Sequence, residues 1–257
     1  MININNMFYT EIKKELCNWK LYFSIAVYIL LCFYVRGDYG KGGALRIIDS
    51  MLALSNTITL ISILAAFPTA CTFSEDWENG YYKFIVSRSS QVQYIITKIL
   101  VCAISTFCVS FVIAVFVSFS IFGLIEYALT GPGTDVVNEG WMFYDLVNSR
   151  YNILYIFIRS GLLSLVLAMF SEYGLMGSAI MPNKFVAIAF PLISSIILRE
   201  ISFRINYGGI SIHKIESASM KTPGQCIIAF VTLVVLTLIA NVIFSYFVKR
   251  RIRCEIN

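Results

Sequence analysis

Residues 225–248 run without one Asp, Glu, Lys or Arg. As an α-helix such a run is about 36 Å long at 1.5 Å per residue. That exceeds the roughly 30 Å of a bilayer's hydrocarbon core. A chain in lipid must satisfy its own backbone N–H and C=O groups, which leaves helices or closed barrels. A strand crosses in about 9–11 residues, so a run this long specifies a helix. Composition agrees: 58% of the 257 residues are hydrophobic, 14% are charged, and the mean hydropathy is +0.76. A soluble domain keeps about 25% charged residues. The expected fold is all-α, a polytopic protein of the lipid bilayer.

Six runs read as transmembrane helices, at about 21–35, 51–71, 94–122, 158–181, 185–198 and 225–248. Residues 6–20 precede them as an amphipathic interfacial helix. Met7, Phe8, Ile12, Leu16 and Trp19 fall near helical spacing, with Glu11, Lys13, Lys14 and Glu15 on the other side. No small-residue cleavage site follows Leu31, so the first run is expected to stay as an anchor. It is short, and Lys20 and Arg36 are expected to snorkel at its ends. Pro68 either kinks the second helix or marks where it leaves the bilayer. The fourth run has two readings. It stops at Ser171-Glu172, or it continues through Met181 and turns at Pro182-Asn183-Lys184. The stronger turn signal favours the second, which leaves the Glu172 carboxylate within the bilayer. Residues 36–50, 123–152 and 199–224 are polar connections. The middle one holds Glu126, Asp135, Glu139, Asp145 and the turn Gly131-Pro132-Gly133.

Six spans put both ends on one side. Lys13, Lys14 and Lys20 near one end, and Lys249, Arg250, Arg251 and Arg253 near the other, assign that side to the cytoplasm of a bacterial cell. Several function classes drop out. The sequence has no GxxxxGK[ST] phosphate loop, no HExxH and no GxSxG, and its one histidine, His213, sits in a polar connection. The chain is therefore expected not to be an enzyme. The seven cysteines are scattered without CxxC spacing and read as small apolar residues rather than metal ligands. The net charge of +5 is spread over loops, which argues against nucleic acid as a partner.

The informative stretch is residues 72–93. Glu75, Asp76 and Glu78 precede Gly80. Tyr81, Tyr82, Phe84, Ile85 and Val86 follow, then Ser87-Arg88, with Lys98 just inside the third run. A short helix around residues 77–86 is expected. It either offers carboxylates and aromatics to a cytoplasmic partner or merely connects two spans. In these positions the chain resembles the type-2 ABC exporter permeases, in which an acidic-x-Gly segment, a Ser-Arg pair and a Lys link the second and third helices. Asn183-Lys184, Val186-Ala187 and Pro191 also resemble that family, as does the amphipathic helix before the first span. A proline usual before the Ser-Arg pair is replaced here by Val86.

The resemblance implies six transmembrane helices, an N-terminal connecting helix, and a coupling helix that docks on a separate nucleotide-binding ATPase subunit. It also implies a second permease copy, identical or related, with ATP and Mg bound by the ATPases and no cofactor in this chain. Carried onto this sequence, the coupling residues are Glu75, Asp76, Glu78, Gly80, Tyr81 and Arg88. The carboxylates would pair with basic groups of the ATPase. The expected function is export of an amphipathic or hydrophobic substrate: a peptide, antimicrobial compound, drug or lipid. The alternatives are an ion-coupled secondary transporter, which wants several intramembrane carboxylates, and a membrane scaffold or enzyme without an ATPase partner. Glu172 is the one candidate for a polar point on the pathway or at a dimer interface, unless it lies in a loop. Arg159 is expected to snorkel at the outer interface.

Overall fold

The structure, a computed structural model, describes residues 4–39, 55–118, 152–205, 212–216 and 220–256. Within them all regular structure is helical. In chain order the helices are α1 (Ile4–Leu16), α2 (Trp19–Tyr39), α3 (Ser55–Glu78), α4 (Tyr81–Arg88), α5 (Gln91–Ser118), α6 (Asn152–Ile180), α7 (Lys184–Ile205), α8 (Ile212–Glu216) and α9 (Pro223–Ile256). Most of the first two polar connections, including Glu126, Asp135, Glu139, Asp145 and the Gly131-Pro132-Gly133 turn, lies outside the described residues, as does the side chain of His213.

Among the described residues four helices are long and apolar enough to cross a membrane: Gln91–Phe116 in α5, Ile153–Ile180 in α6, Lys184–Ser202 in α7 and Pro223–Glu255 in α9. Trp19–Leu31 in α2 is apolar but shorter. α3 has the length, 24 residues, but is diluted by hydroxyl side chains and by the carboxylates at its end. It continues past Pro68 to Glu78, so the proline lies inside the helix.

α6 is the centre of the bundle. It packs against α3, α5, α7, α8 and α9. Of its most apolar stretch 56% is buried, against 22% in α9, which therefore lies at the periphery. Two glycines let the neighbours approach. A Cβ on Gly174 would fall 2.7 Å from the Ala70 Cβ and 2.9 Å from the Ala187 carbonyl oxygen, and one on Gly177 would fall 2.6 Å from the Phe190 Cβ. Ala66, Ala70, Cys71 and Ala187 are buried at the same crossing. Without water to drive apolar surfaces together, such close contact between small residues is what holds membrane helices against each other.

The helix ends explain where the sequence-based boundaries move. α6 begins at Asn152, earlier than 158. It carries on through Ser171 and Glu172 and ends at Ile180. There Arg251 of α9 donates from Nε to the Ala179 carbonyl at 2.8 Å and from Nη2 to the Ile180 carbonyl at 2.5 Å. Those carbonyls have no partner within the helix. Asn183 then caps α7, accepting from the Phe185 N–H at 2.9 Å. α9 does not break at Lys249: its basic residues extend the helix to Ile256. α2 likewise runs to Tyr39, so Arg36 is helical rather than in the loop.

The amphipathic segment is shorter than the expected 6–20. It breaks at Cys17 and Asn18, where Asn18 Oδ1 accepts from the Lys20 N–H at 3.1 Å and starts α2, so Trp19 and Lys20 belong to that next helix. Its orientation is also different. Met7, Glu11 and Glu15, spaced by one helical turn, form the buried face, while Tyr9 and Leu16 are exposed. Glu11 and Glu15 were expected on the solvent side. They turn inward because α1 packs along α5, whose Lys98 waits there for a carboxylate.

Candidate functional site

The chain concentrates its charged contacts at one end of the bundle, where α3 stops. Glu75, Asp76 and Glu78 sit on the last turn of that helix. At about 100° per residue Asp76 turns away from Glu75 and Glu78, which lie three residues apart toward one side, and each finds a lysine on a different element. Glu75 pairs with Lys20 of α2. Glu78 Oε2 lies 2.8 Å from Lys184 Nζ of α7. Asp76, fully buried, pairs with Lys14 of α1 through Oδ1, and its Oδ2 lies 2.6 Å from Lys98 Nζ of α5. Lys98, 2% exposed, also bonds Glu11 Oε2 at 2.5 Å, and the Tyr94 hydroxyl donates to Asp76 Oδ2 at 3.2 Å. Acidic groups at a helix C-terminus oppose its dipole. Here the four lysines offset both the dipole and the burial. Burial alone would push the Asp76 carboxyl up, but Lys98 and Lys14 outweigh it and hold the group below the usual carboxylate range.

Gly80 turns the chain from α3 into α4. Its φ of 67° is left-handed, and nothing lies within 4 Å of where a Cβ would be, so backbone conformation rather than space demands glycine. The short helix therefore begins after Gly80, not at Trp77 as the sequence suggested, and the carboxylates lie on the preceding helix. Trp77 ends α3 with its ring stacked on Tyr82 at 4.2 Å, and the Arg251 guanidinium lies 5.8 Å from the Trp77 ring. Tyr82 and Ile85 bury the inner face of α4. The Tyr82 hydroxyl donates to Glu255 of α9, beside Lys83 Nζ at 3.2 Å. Burial, followed by the Glu255 contact, pushes that phenol above its ordinary value.

At its far end α4 is closed by the Ser89 N–H, which donates to the Ile85 carbonyl at 2.8 Å, and α5 then opens on a reciprocal pair. The Ser90 N–H donates to Gln93 Oε1 at 3.1 Å, and the Gln93 N–H donates to Ser90 Oγ at 3.2 Å. The outer face presents Tyr81, Lys83, Phe84 (67% exposed), Ser87 and Arg88. A cleft of about 340 Å³ opens beside it, between α4 and the end of α9.

The six coupling candidates thus divide. Tyr81 and Arg88 face outward, Gly80 makes the turn, and Glu75, Asp76 and the half-exposed Glu78 are paired within the chain. The contacts of Glu11, Lys14 and Glu255 were not foreseen. The four-residue spacing of Met7, Glu11 and Glu15 places them on one face of α1 and leaves open which way that face turns.

Glu172 lies within α6, about 12 Å along the axis from its end. It is 1% exposed, and neither carboxyl oxygen has a hydrogen-bond partner among the described residues. Next to it, the Cys102 thiol donates to Ser171 Oγ at 3.4 Å, linking α5 to α6. Glu15 of α1 points toward the same region. Among the described residues its Oε2 is also without a hydrogen-bond partner, and burial pushes the carboxyl up to about 7. Arg159 does not snorkel: it is 1% exposed, with its guanidinium 6.0 Å from the Tyr155 ring. No protein-family model matches the chain, and no curated protein or solved structure matches it either.

Proposed function

We propose that this chain is the permease subunit of an ATP-driven ABC exporter and that α4 is its coupling helix. The build of α4 carries the reading. It is eight residues long, fixed at both ends, anchored by Tyr82 and Ile85, and turns two aromatic rings and two cationic groups away from the bundle. Lipid would not hold Lys83 and Arg88, and exposed Phe84 beside an arginine is the composition of an interface hot spot. Tyr81, Arg88 and Glu78 contact the ATPase in this reading, and Gly80 sets the angle. Glu75 and Asp76 pass the motion of the docked helix to α1, α2 and α5 through their lysines.

On the same reading α2 and α3 are the first two of six spans, and both termini lie in the cytoplasm of a bacterial cell. Two permease copies, identical or related, work with two ATPases that bind ATP and Mg. The cargo, an amphipathic or hydrophobic peptide, antimicrobial compound, drug or lipid, enters from the bilayer. The Glu172 carboxyl and one oxygen of Glu15, without hydrogen-bond partners among the described residues, favour a second reading, a cation-coupled transporter. Need for an ATPase separates the two.

The test is co-expression with the products of neighbouring genes, followed by purification through this chain. A nucleotide-binding subunit is expected with the wild type. Phe84→Ala combined with Arg88→Glu is expected to cut its recovery, or its stimulated ATPase activity, by about tenfold or more. Absence of any ATPase from the wild-type preparation sinks the exporter reading.

A further inference from the structure

A groove of about 390 Å³ runs along the bundle between α5, α6 and α9. Its walls are apolar, among them Phe107, Met169, Phe230 and Val234, apart from Thr237, whose hydroxyl donates to the Leu233 carbonyl, and Glu172, which also lines it. Ile104, Leu165, Phe230, Val234 and Leu238 along its rim are exposed on a face made of membrane-crossing helices, so it opens toward lipid rather than toward water. Its size is that of a small-molecule site, and a site of that kind combines apolar walls with few polar groups.

The polar group here is unusual because it is left over. Both Glu172 oxygens lack a hydrogen-bond partner among the described residues, and Glu172 is nine-tenths buried and more. A buried carboxyl normally acquires donors, since leaving its acceptors empty is costly. The lysine-rich cluster at the end of α3 satisfies its carboxylates from within the chain. Glu172 does not draw on it. A lipid tail filling the groove would leave the carboxyl empty, and a neutral alcohol would supply one donor. A protonated amine or guanidinium supplies several donors and the opposite charge at once.

From this geometry we infer that the groove is a binding site for an amphipathic cation taken from the bilayer, with its charged nitrogen on Glu172 and its apolar body against α5 and α9. The inference rests on the exporter reading for its role as a cargo site and names the class of that cargo. Glu172 acts by direct contact with the ligand, and Phe107, Met169 and Phe230 shape the space for the body.

The experiment uses the full chain in nanodiscs of phosphatidylcholine, a lipid without a primary amine, and needs no ATPase. Equilibrium binding is measured for tritiated 4-phenylbutylamine and for its uncharged N-acetyl analogue. Wild type is expected to bind the amine saturably and the analogue at least about tenfold more weakly. Glu172→Gln is expected to lose the preference, binding the two alike. Val234→Trp, at an exposed position on the wall, is expected to block both while the protein stays folded by size-exclusion and thermal unfolding. Equal binding of amine and analogue by wild type, unchanged preference in Glu172→Gln, or no saturable binding at all overturns the inference and leaves the groove to lipid or a second copy of the chain. Equal binding of amine and analogue by wild type, with an ATPase still co-purifying, would strike this inference alone. Amine binding without any ATPase would strike the exporter reading alone.

Discussion

Two parts of this bundle bury charged side chains, and they treat them in opposite ways. At the end of α3, Lys98, Asp76, Glu11 and Lys14 form a set with two positive and two negative charges, and Tyr94 adds a donor. Further along α6, Glu172 is equally buried and has no such company among the described residues. The contrast separates two uses of a buried charge. A charge whose partners belong to the chain holds helices in register. A charge without partners is held ready for something else. Glu15 stands between them. It shares the inward face of α1 with Glu11, but one of its oxygens has no hydrogen-bond partner among the described residues.

The largest expected effect breaks the paired side. Lys98→Met leaves Asp76 and Glu11 buried without the cation that pairs with both of them, and losing one partner of a buried ion pair costs about 3–5 kcal/mol. The measurement is apparent unfolding temperature and folded yield in detergent. Lys98→Met combined with Glu11→Leu keeps the Lys14–Asp76 pair and is expected to recover at least about half of the loss. A single variant as stable as wild type would mean that the cluster does not fix the helices.

How much of this contrast was legible beforehand depends on where the information sits. The apolar runs of α5, α6, α7 and α9 are local features, and the sequence shows them directly. The Pro182-Asn183-Lys184 turn is local too, and Asn183 caps the helix that follows it. Partner choice is not local. Glu75, Asp76 and Glu78 read as a surface cluster because they are adjacent, yet a helix at about 100° per residue scatters adjacent residues around its axis. Each then met a lysine supplied by distant sequence. The inward turn of α1 was hidden for a similar reason. Its apolar residues suit lipid, and only knowledge of Lys98 across the gap says which face turns in.

The middle effect sharpens the comparison by using Glu15 as a reporter. Its carboxyl rises from 4.5 to about 7 because burial disfavours the charged form. Between those values the folded protein keeps a proton that the unfolded chain has lost. Stability is therefore present in full below about 4.5, falls as the pH rises through 7, and then levels off. Glu15→Gln does not titrate, so the wild-type-minus-variant difference in stability is expected to fall by at most about 3 kcal/mol across that window. Unfolding temperatures of both proteins from pH 4.5 to 8 test this. A flat difference would assign Glu15 to the paired set, with a cation satisfying the oxygen that stands empty here.

The smallest expected effect is the one that most directly opposes the two regions. Glu172→Gln keeps the size of the side chain and removes the ionisable group. If Glu172 has no partner to lose, the change costs no ion pair, and stability should move by less than about 1 kcal/mol. Glu172→Leu should then stabilise, because an unsatisfied carboxyl within a membrane helix is itself unfavourable by about 2.5–3.5 kcal/mol on insertion scales. Both are read as unfolding temperature in the same detergent as Lys98→Met. A loss in Glu172→Gln as large as in Lys98→Met would erase the contrast: Glu172 would then have a cation of its own, and the groove would be a sealed joint rather than an open site. A small shift, together with lost amine binding, leaves the carboxyl with a ligand to hold and no helix to hold in place.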